Sequence, residues 1–115
     1  MKYWTILINK LPATAMAVYP FMIFKNQEAS VTGKVIRHEL IHFHQQLELL
    51  VLPFYVLYLL SYLLNLLIYR DHDKAYRNIC FEVEAYTNDD NPDYLLQRKM
   101  FAWIRHRPKK VQIRD

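Results

Sequence analysis

Residues 33–69 read GKVIRHELIHFHQQLELLVLPFYVLYLLSYLLNLLIY, and how this run divides decides the fold. Its first half has helical spacing: His38, His42 and Gln46 recur one turn apart, with Ile36, Leu40, Phe43, Leu47 and Leu50 as an apolar stripe beside them. Ser30 or Thr32 stands where a helix N-cap accepts a free backbone N–H, so a helix is expected from about Gly33 to about Leu52. Pro53 has no N–H to donate and disfavours helix at the residue before it, which predicts a break there. Beyond it, Phe54–Tyr69 reads as a second helix, in which Ser61 and Asn65 are the only polar residues besides tyrosines.

Working outward, Tyr3–Ile8 and Ala13–Phe24 are apolar stretches punctuated by Pro12 and Pro20. Branched and aromatic residues with Pro20 among them predict a short strand over Val18–Phe24. The first stretch lacks a signal peptide's long apolar run and clear cleavage site. Downstream, Arg70-Asp71-His72-Asp73 is a charged break and Lys74–Asn88 a further helix. Asn88-Asp89-Asp90-Asn91-Pro92 is the strongest turn signal. A last amphipathic helix is expected over Asp93–His106, with Leu96, Met100, Trp103 and Ile104 along one side. Gly33 is the single glycine of 115 residues, and tight hairpins usually need several, so the fold class is mainly α. The expectation is one compact helical domain over residues 1–107, with a helical hairpin broken near Pro53 and a short N-terminal strand, followed by a basic tail over 108–115.

The chemistry lies in His38-Glu39-Leu40-Ile41-His42. On a helix this pattern sets two imidazoles on one face, where both can bind one zinc ion at about 2.0–2.1 Å. Glu39 then stands beside the ion without binding it, placed to take a proton from a water that the ion activates. With Cys80 the only cysteine, an internal disulfide and cysteine-rich zinc sites are excluded, so any third ligand is a histidine or a carboxylate. Glu82, Glu84, His44, His72 and Asp73 are the candidates. His44 points away from His42, and His72 and Asp73 lie in a break. Glu82 and Glu84 sit on a helix among apolar neighbours, where an unpaired charge is costly. Glu82 is the favoured ligand, and Glu84 is left to orient a histidine.

His-Glu-x-x-His, an apolar segment and then Glu82-Val83-Glu84-Ala85-Tyr86 resemble the zincins whose third ligand is a glutamate on a later helix. The likeness is nearest to the membrane-embedded prenyl-protein and heat-shock proteases and the antibiotic-sensor peptidases; small bacterial proteins with the same motif are similar too. It covers roughly residues 30–105. It implies zinc on His38, His42 and Glu82, with Glu39 as the general base. Tyr86 departs from it, standing where those families carry an aspartate.

Membrane lipid is an expected partner. Leu47 to Tyr69 is long enough for one crossing, about 20 residues at 1.5 Å each, yet a straight crossing would set His42 and Glu82 on opposite sides, about 30 Å apart. A chain that doubles back near Pro53 removes the conflict, and Tyr55, Tyr58, Tyr62 and Tyr69 suit a shallow position at the lipid–water boundary. Net charge is +4, with Arg105, His106, Arg107, Lys109, Lys110 and Arg114 crowding the C-terminus. Without interleaved aromatics or a reading helix, this tail fits an anionic membrane face on the cytoplasmic side better than nucleic acid. The functional expectation is a membrane-associated zinc metallopeptidase acting on a peptide or protein substrate. A non-catalytic zinc-binding or structural membrane protein is the alternative.

Overall fold

Among residues 2–27 and 32–106, which the computed structural model describes, the chain forms five α-helices, a 3-10 turn and a three-stranded sheet. The mainly helical fold expected from the lack of glycine is what is found. The strands come first: β1 (Trp4–Leu7), β2 (Ala15–Val18) and β3 (Phe21–Phe24). Their order is β1-β3-β2, with β3 parallel to β1 and antiparallel to β2. The single strand expected over Val18–Phe24 is therefore two. Pro20 sits in the turn between them, where its missing N–H costs no ladder bond.

α1 (Gly33–Leu49) begins after Thr32, whose backbone is extended but whose side chain makes no capping hydrogen bond; Ser30, the other expected cap, lies outside the described residues. The apolar stripe read from spacing holds at Ile36, Leu40 and Phe43, which pack on the core, but not at its C-terminal end. His38, Glu39, Ile41, His42, Phe43, Gln45 and Gln46 are buried, whereas Leu47 and Leu50 are 44% and 71% exposed. Phe43 packs on Ala17, Met22 and Phe24 of the sheet. The polar residues go inside because a later helix brings them polar partners.

The break falls at Leu50 (φ 64°), three residues ahead of Pro53. Pro53 lies in the first turn of α2 (Val51–Tyr69), where a missing N–H has no helical partner to lose. The two helices fold back as expected: Gln46 donates to the Tyr55 hydroxyl at 3.3 Å, and the His42 and Phe54 rings lie 6.3 Å apart. By length and composition α2 is able to cross a membrane, and Phe54 is its one fully buried residue. Its polarity is inverted for a helix in water. Exposed positions 52, 53, 56, 57, 59, 60, 63, 64, 67 and 68 are all Leu, Ile, Val or Pro, while Tyr55, Tyr58, Ser61, Tyr62, Asn65 and Tyr69 are half-buried on the protein side.

α3 (His72–Arg77) starts on Asp71, whose carboxylate accepts the Lys74 N–H at 2.9 Å. It returns alongside α2, with Asn65 donating to the Ala75 carbonyl at 3.0 Å and the Tyr62 hydroxyl 2.8 Å from His72 Nδ1. The one helix expected over Lys74–Asn88 is interrupted at Ile79, where the backbone is extended, and α4 (Cys80–Asn88) starts afresh. Residues two apart point to different sides of a helix. The interruption lets Ile79 and Phe81 both enter the cluster around Phe54, with Tyr58 and Trp103 at its rim. α4 ends at Asn88, where the turn signal placed its end.

The last expected helix is replaced by α5 (Tyr94–Gln97), a stretch of extended or turning chain, and the 3-10 turn Ala102–Arg105. Leu96 and Met100, two of its expected apolar stripe, are 87% and 75% exposed. Arg98 leaves helical geometry to reach Glu48 and Glu84, and Glu48 also accepts the Phe101 N–H at 2.6 Å. Buried ion pairing outweighs the amphipathic period here. The basic tail expected over 108–115 lies outside the described residues, as does Arg107.

Candidate metal centre

α1 supplies His38 and His42 from one face, as the four-residue spacing dictates, and α4 lays Glu82 across both. Glu82 Oε1 is 3.1 Å from His38 Nε2 and 3.2 Å from His42 Nε2. All three side chains are buried, and their donor atoms lie within 4.8 Å of one another. An ion held tetrahedrally at 2.0–2.1 Å keeps its ligand atoms about 3.3 Å apart. The donor set, with the two Glu82–histidine separations near that value, can hold a metal ion.

The outer faces of the rings are already committed. His38 Nδ1 stands 3.0 Å from Asp89 Oδ2, an acceptor, and so carries a proton. His42 Nδ1 stands 2.7 Å from Gln45 Oε1. The orientation of Gln45 is fixed, because its Nε2 donates to the Phe81 carbonyl at 3.0 Å and to Glu84 Oε1 at 2.9 Å, neither of which can donate back. Both imidazoles therefore turn an Nε2 lone pair toward the same carboxylate oxygen when neutral. Tyr58 donates to the other oxygen, Glu82 Oε2, at 2.5 Å. Tyr86 covers the ring of His38 at 4.5 Å between centroids.

Electrostatics follow from burial against pairing. Burial disfavours charge on His42, but the Glu82 carboxylate and its hydrogen bond outweigh that and push the imidazole up to about 9. Burial also opposes charge on Glu82, yet His42 and the two imidazole hydrogen bonds hold its carboxyl well below the usual range. Three electron-pair donors aimed at one point need a cation between them, a proton or a metal ion. Glu39 differs: burial pushes its carboxyl up, and the neighbouring histidines only partly offset this.

Glu39 lines a cleft with two adjoining lobes of about 240 Å³ each, which share Ala13, Ala15, Glu39 and Tyr76. One lobe reaches His42 and Glu82, the other His38 and Asp89. β2 forms the opposite wall, and it is an edge strand. The Thr14 carbonyl faces β3, where it accepts the Lys25 N–H at 3.0 Å. The Ala17 carbonyl faces away and accepts from Gln46 at 2.7 Å and from Tyr55. By the two-residue alternation of a strand, Ala15 turns its N–H and carbonyl away from β3 as well.

Of the five candidate third ligands, the structure brings Glu82 to the histidine pair. Glu84, two residues on, pairs with Arg98, Gln45 and Tyr94 instead. His72 meets Tyr62, and Asp73 meets Arg77 at 3.2 Å. His44 is half-buried beside the charges of Arg98 and Glu48. Sequence reasoning missed Asp89, Gln45 and Tyr58. Asp89 was legible as a turn residue, but it also lies seven residues, two helical turns, past Glu82. It gives His38 a buried carboxylate partner. No protein-family model, curated protein or solved structure matches the chain.

Proposed function

We propose that this protein is a membrane-associated metallopeptidase that holds zinc on His38, His42 and Glu82 and uses Glu39 as its general base. The observation that carries the reading is the convergence of three buried donor atoms with both outer imidazole nitrogens already hydrogen-bonded. A bound zinc ion supplies Lewis acidity toward a carbonyl and lowers the pKa of water toward 7. The chain's own residues do the rest. Asp89 and Gln45 hold the two rings, and Tyr58 holds the free oxygen of Glu82. Glu39, with its affinity for a proton raised, faces the cleft where a water and a substrate carbonyl meet.

Two features support a peptide at a membrane. The outward backbone groups of Ala15 suit an extended chain, which can add to β2 by main-chain hydrogen bonds. The unbroken apolar outer face of α2 suits lipid, because no polar side chain on it needs water.

Metal content and turnover on a peptide library test the reading together. Purified wild type is expected to carry one zinc per chain, Glu82→Ala to lose it, and Glu39→Gln to keep it with turnover abolished. Zinc retained at unchanged affinity in Glu82→Ala would overturn the ligand set. Zinc-loaded wild type without turnover would leave the non-catalytic zinc-binding membrane protein. Absence of zinc would leave the His42–Glu82 pair as a buried ion pair.

A further inference from the structure

We propose that Arg98 is a positioning residue for His42, acting through Glu84 and Gln45, so that the segment after the Asn88–Pro92 turn sets how firmly the metal centre is held. The proposal rests on the zinc reading above and extends it to residues some distance from the ion.

The hydrogen bonds form a buried line that converges on Glu84, with Arg98 donating from one end and Gln45 from the other. Arg98 forks between two carboxylates, donating to Glu48 at 2.8 and 3.0 Å and to Glu84 at 2.5 and 3.2 Å. Tyr94 adds a donor to Glu84 Oε2 at 2.6 Å. Glu84 is thereby fixed, and its Oε1 accepts from Gln45. Because that bond and the Phe81 carbonyl occupy both protons of the Gln45 amide, Gln45 Oε1 has one orientation and faces His42 Nδ1. Gln45 and Glu84 are 0% exposed, and the Arg98 side chain is 3% exposed.

Without the line, the Gln45 amide could turn over and offer N–H to His42 Nδ1, which would put the neutral ring's proton on Nε2, where the ion needs a lone pair. His38 stands outside this line, since Asp89 holds it. The protein thus carries an internal control. A loss specific to the line moves His42 alone, whereas a general loosening of the site moves both rings.

The test compares wild type, Gln45→Met and Arg98→Lys in the full chain loaded with zinc. Zinc affinity is measured by chelator competition, and the two imidazole Nδ1–H signals are followed by ¹⁵N-resolved NMR. Gln45→Met keeps the volume and removes the acceptor. Arg98→Lys keeps the charge between Glu48 and Glu84 but loses the planar fork, so it serves where Gln45→Met fails to fold. Removing partners of this kind typically weakens metal binding about 10- to 100-fold. Gln45→Met is expected in that range and Arg98→Lys in the same direction by a smaller factor. In both, the His42 Nδ1–H should lose its protection from exchange while the His38 signal stays. Unchanged affinity with an unchanged His42 signal would overturn the positioning role while leaving the zinc reading intact, as would equal changes at both rings. A wild type that binds no zinc defeats the zinc reading, and this extension with it.

Discussion

Leu60→Asp separates a lipid-facing α2 from one that faces water or protein. Leu60 is the middle residue of the 19-residue helix Val51–Tyr69 and is 51% exposed. It lies about 14 Å from either end at 1.5 Å per residue. In water the substitution removes a half-exposed side chain from a face that contacts nothing. The change in stability should then stay near the helix-propensity difference, roughly 0.5–0.7 kcal/mol. Against hydrocarbon the same change exchanges a favourable leucine, about −0.5 kcal/mol, for an aspartate at about +2.5 to +3.5 kcal/mol at a helix centre. The difference of roughly 3–4 kcal/mol corresponds to a hundredfold or greater loss in partitioning, and even half of it, for a helix lying shallowly, is more than tenfold. Flotation with phosphatidylcholine–phosphatidylglycerol vesicles reads this directly, with Leu60→Met as the apolar control. Leu60→Asp is expected to leave the vesicle fraction while keeping its fold by circular dichroism. Equal flotation of Leu60→Asp and wild type would refute the reasoning. So would a wild type that stays in solution and a Leu60→Asp variant that melts far lower, because that pattern marks a face covered by protein.

Phe81→Ala tests the aromatic cluster that carries Glu82. Phe81 is 1% exposed and packs on Phe54 at 4.7 Å and Trp103 at 4.9 Å between centroids, so the substitution should cost about 3–5 kcal/mol. The thermal midpoint should fall by more than about 10 °C, and a drop of only a degree or two would show that the cluster does not hold α4. Zinc should raise the melting temperature reversibly, by about 4 kcal/mol of added stability at a thousandfold excess over the dissociation constant. A melting curve that a chelator leaves in place speaks against a bound ion.

What the sequence made legible was local and periodic. The His38–His42 spacing, the mainly helical class and the turn at Asn88–Pro92 each follow from rules acting within one or two turns of chain. Glu82 was singled out because a carboxylate among apolar neighbours needs a partner, and the structure gives it three. Long-range pairing was not legible. The α1 stripe of Ile36, Leu40, Phe43, Leu47 and Leu50 holds only in its first half, because hydrophobicity marks an inward face only where the partner is apolar. Here Glu82, Glu84 and Asp89 partner the histidines and Gln45, and the Ala17 carbonyl, Tyr19 and Tyr55 partner Gln46, so the helix buries its histidines and glutamines. The C-terminal helix failed for the same reason: nothing near Arg98 in sequence announces that Glu48, fifty residues earlier, will bind it.

Under the proposed function, a single membrane crossing and a single zinc site are reconciled by how α3 lies against α2. Tyr62 meets His72 and Asn65 meets Ala75, so α3 packs on the second half of α2, and Tyr58, nearer the start of α2, reaches Glu82 on α4. The side chains of Asp73 and Arg77 on α3 are 69% and 56% exposed, and such charges need water at the level of Tyr62 and Asn65. Lipid on all sides of α2 at that level would strand them. The proposed membrane contact is therefore one-sided: the row from Leu52 to Ile68 meets hydrocarbon, and the tyrosine face of the same helix lines the metal centre. An α2 lying along the surface in this way keeps His38, His42 and Glu82 on one side of the bilayer. On this proposal one helix has both tasks, anchoring the protein through its leucines and holding Glu82 through Tyr58.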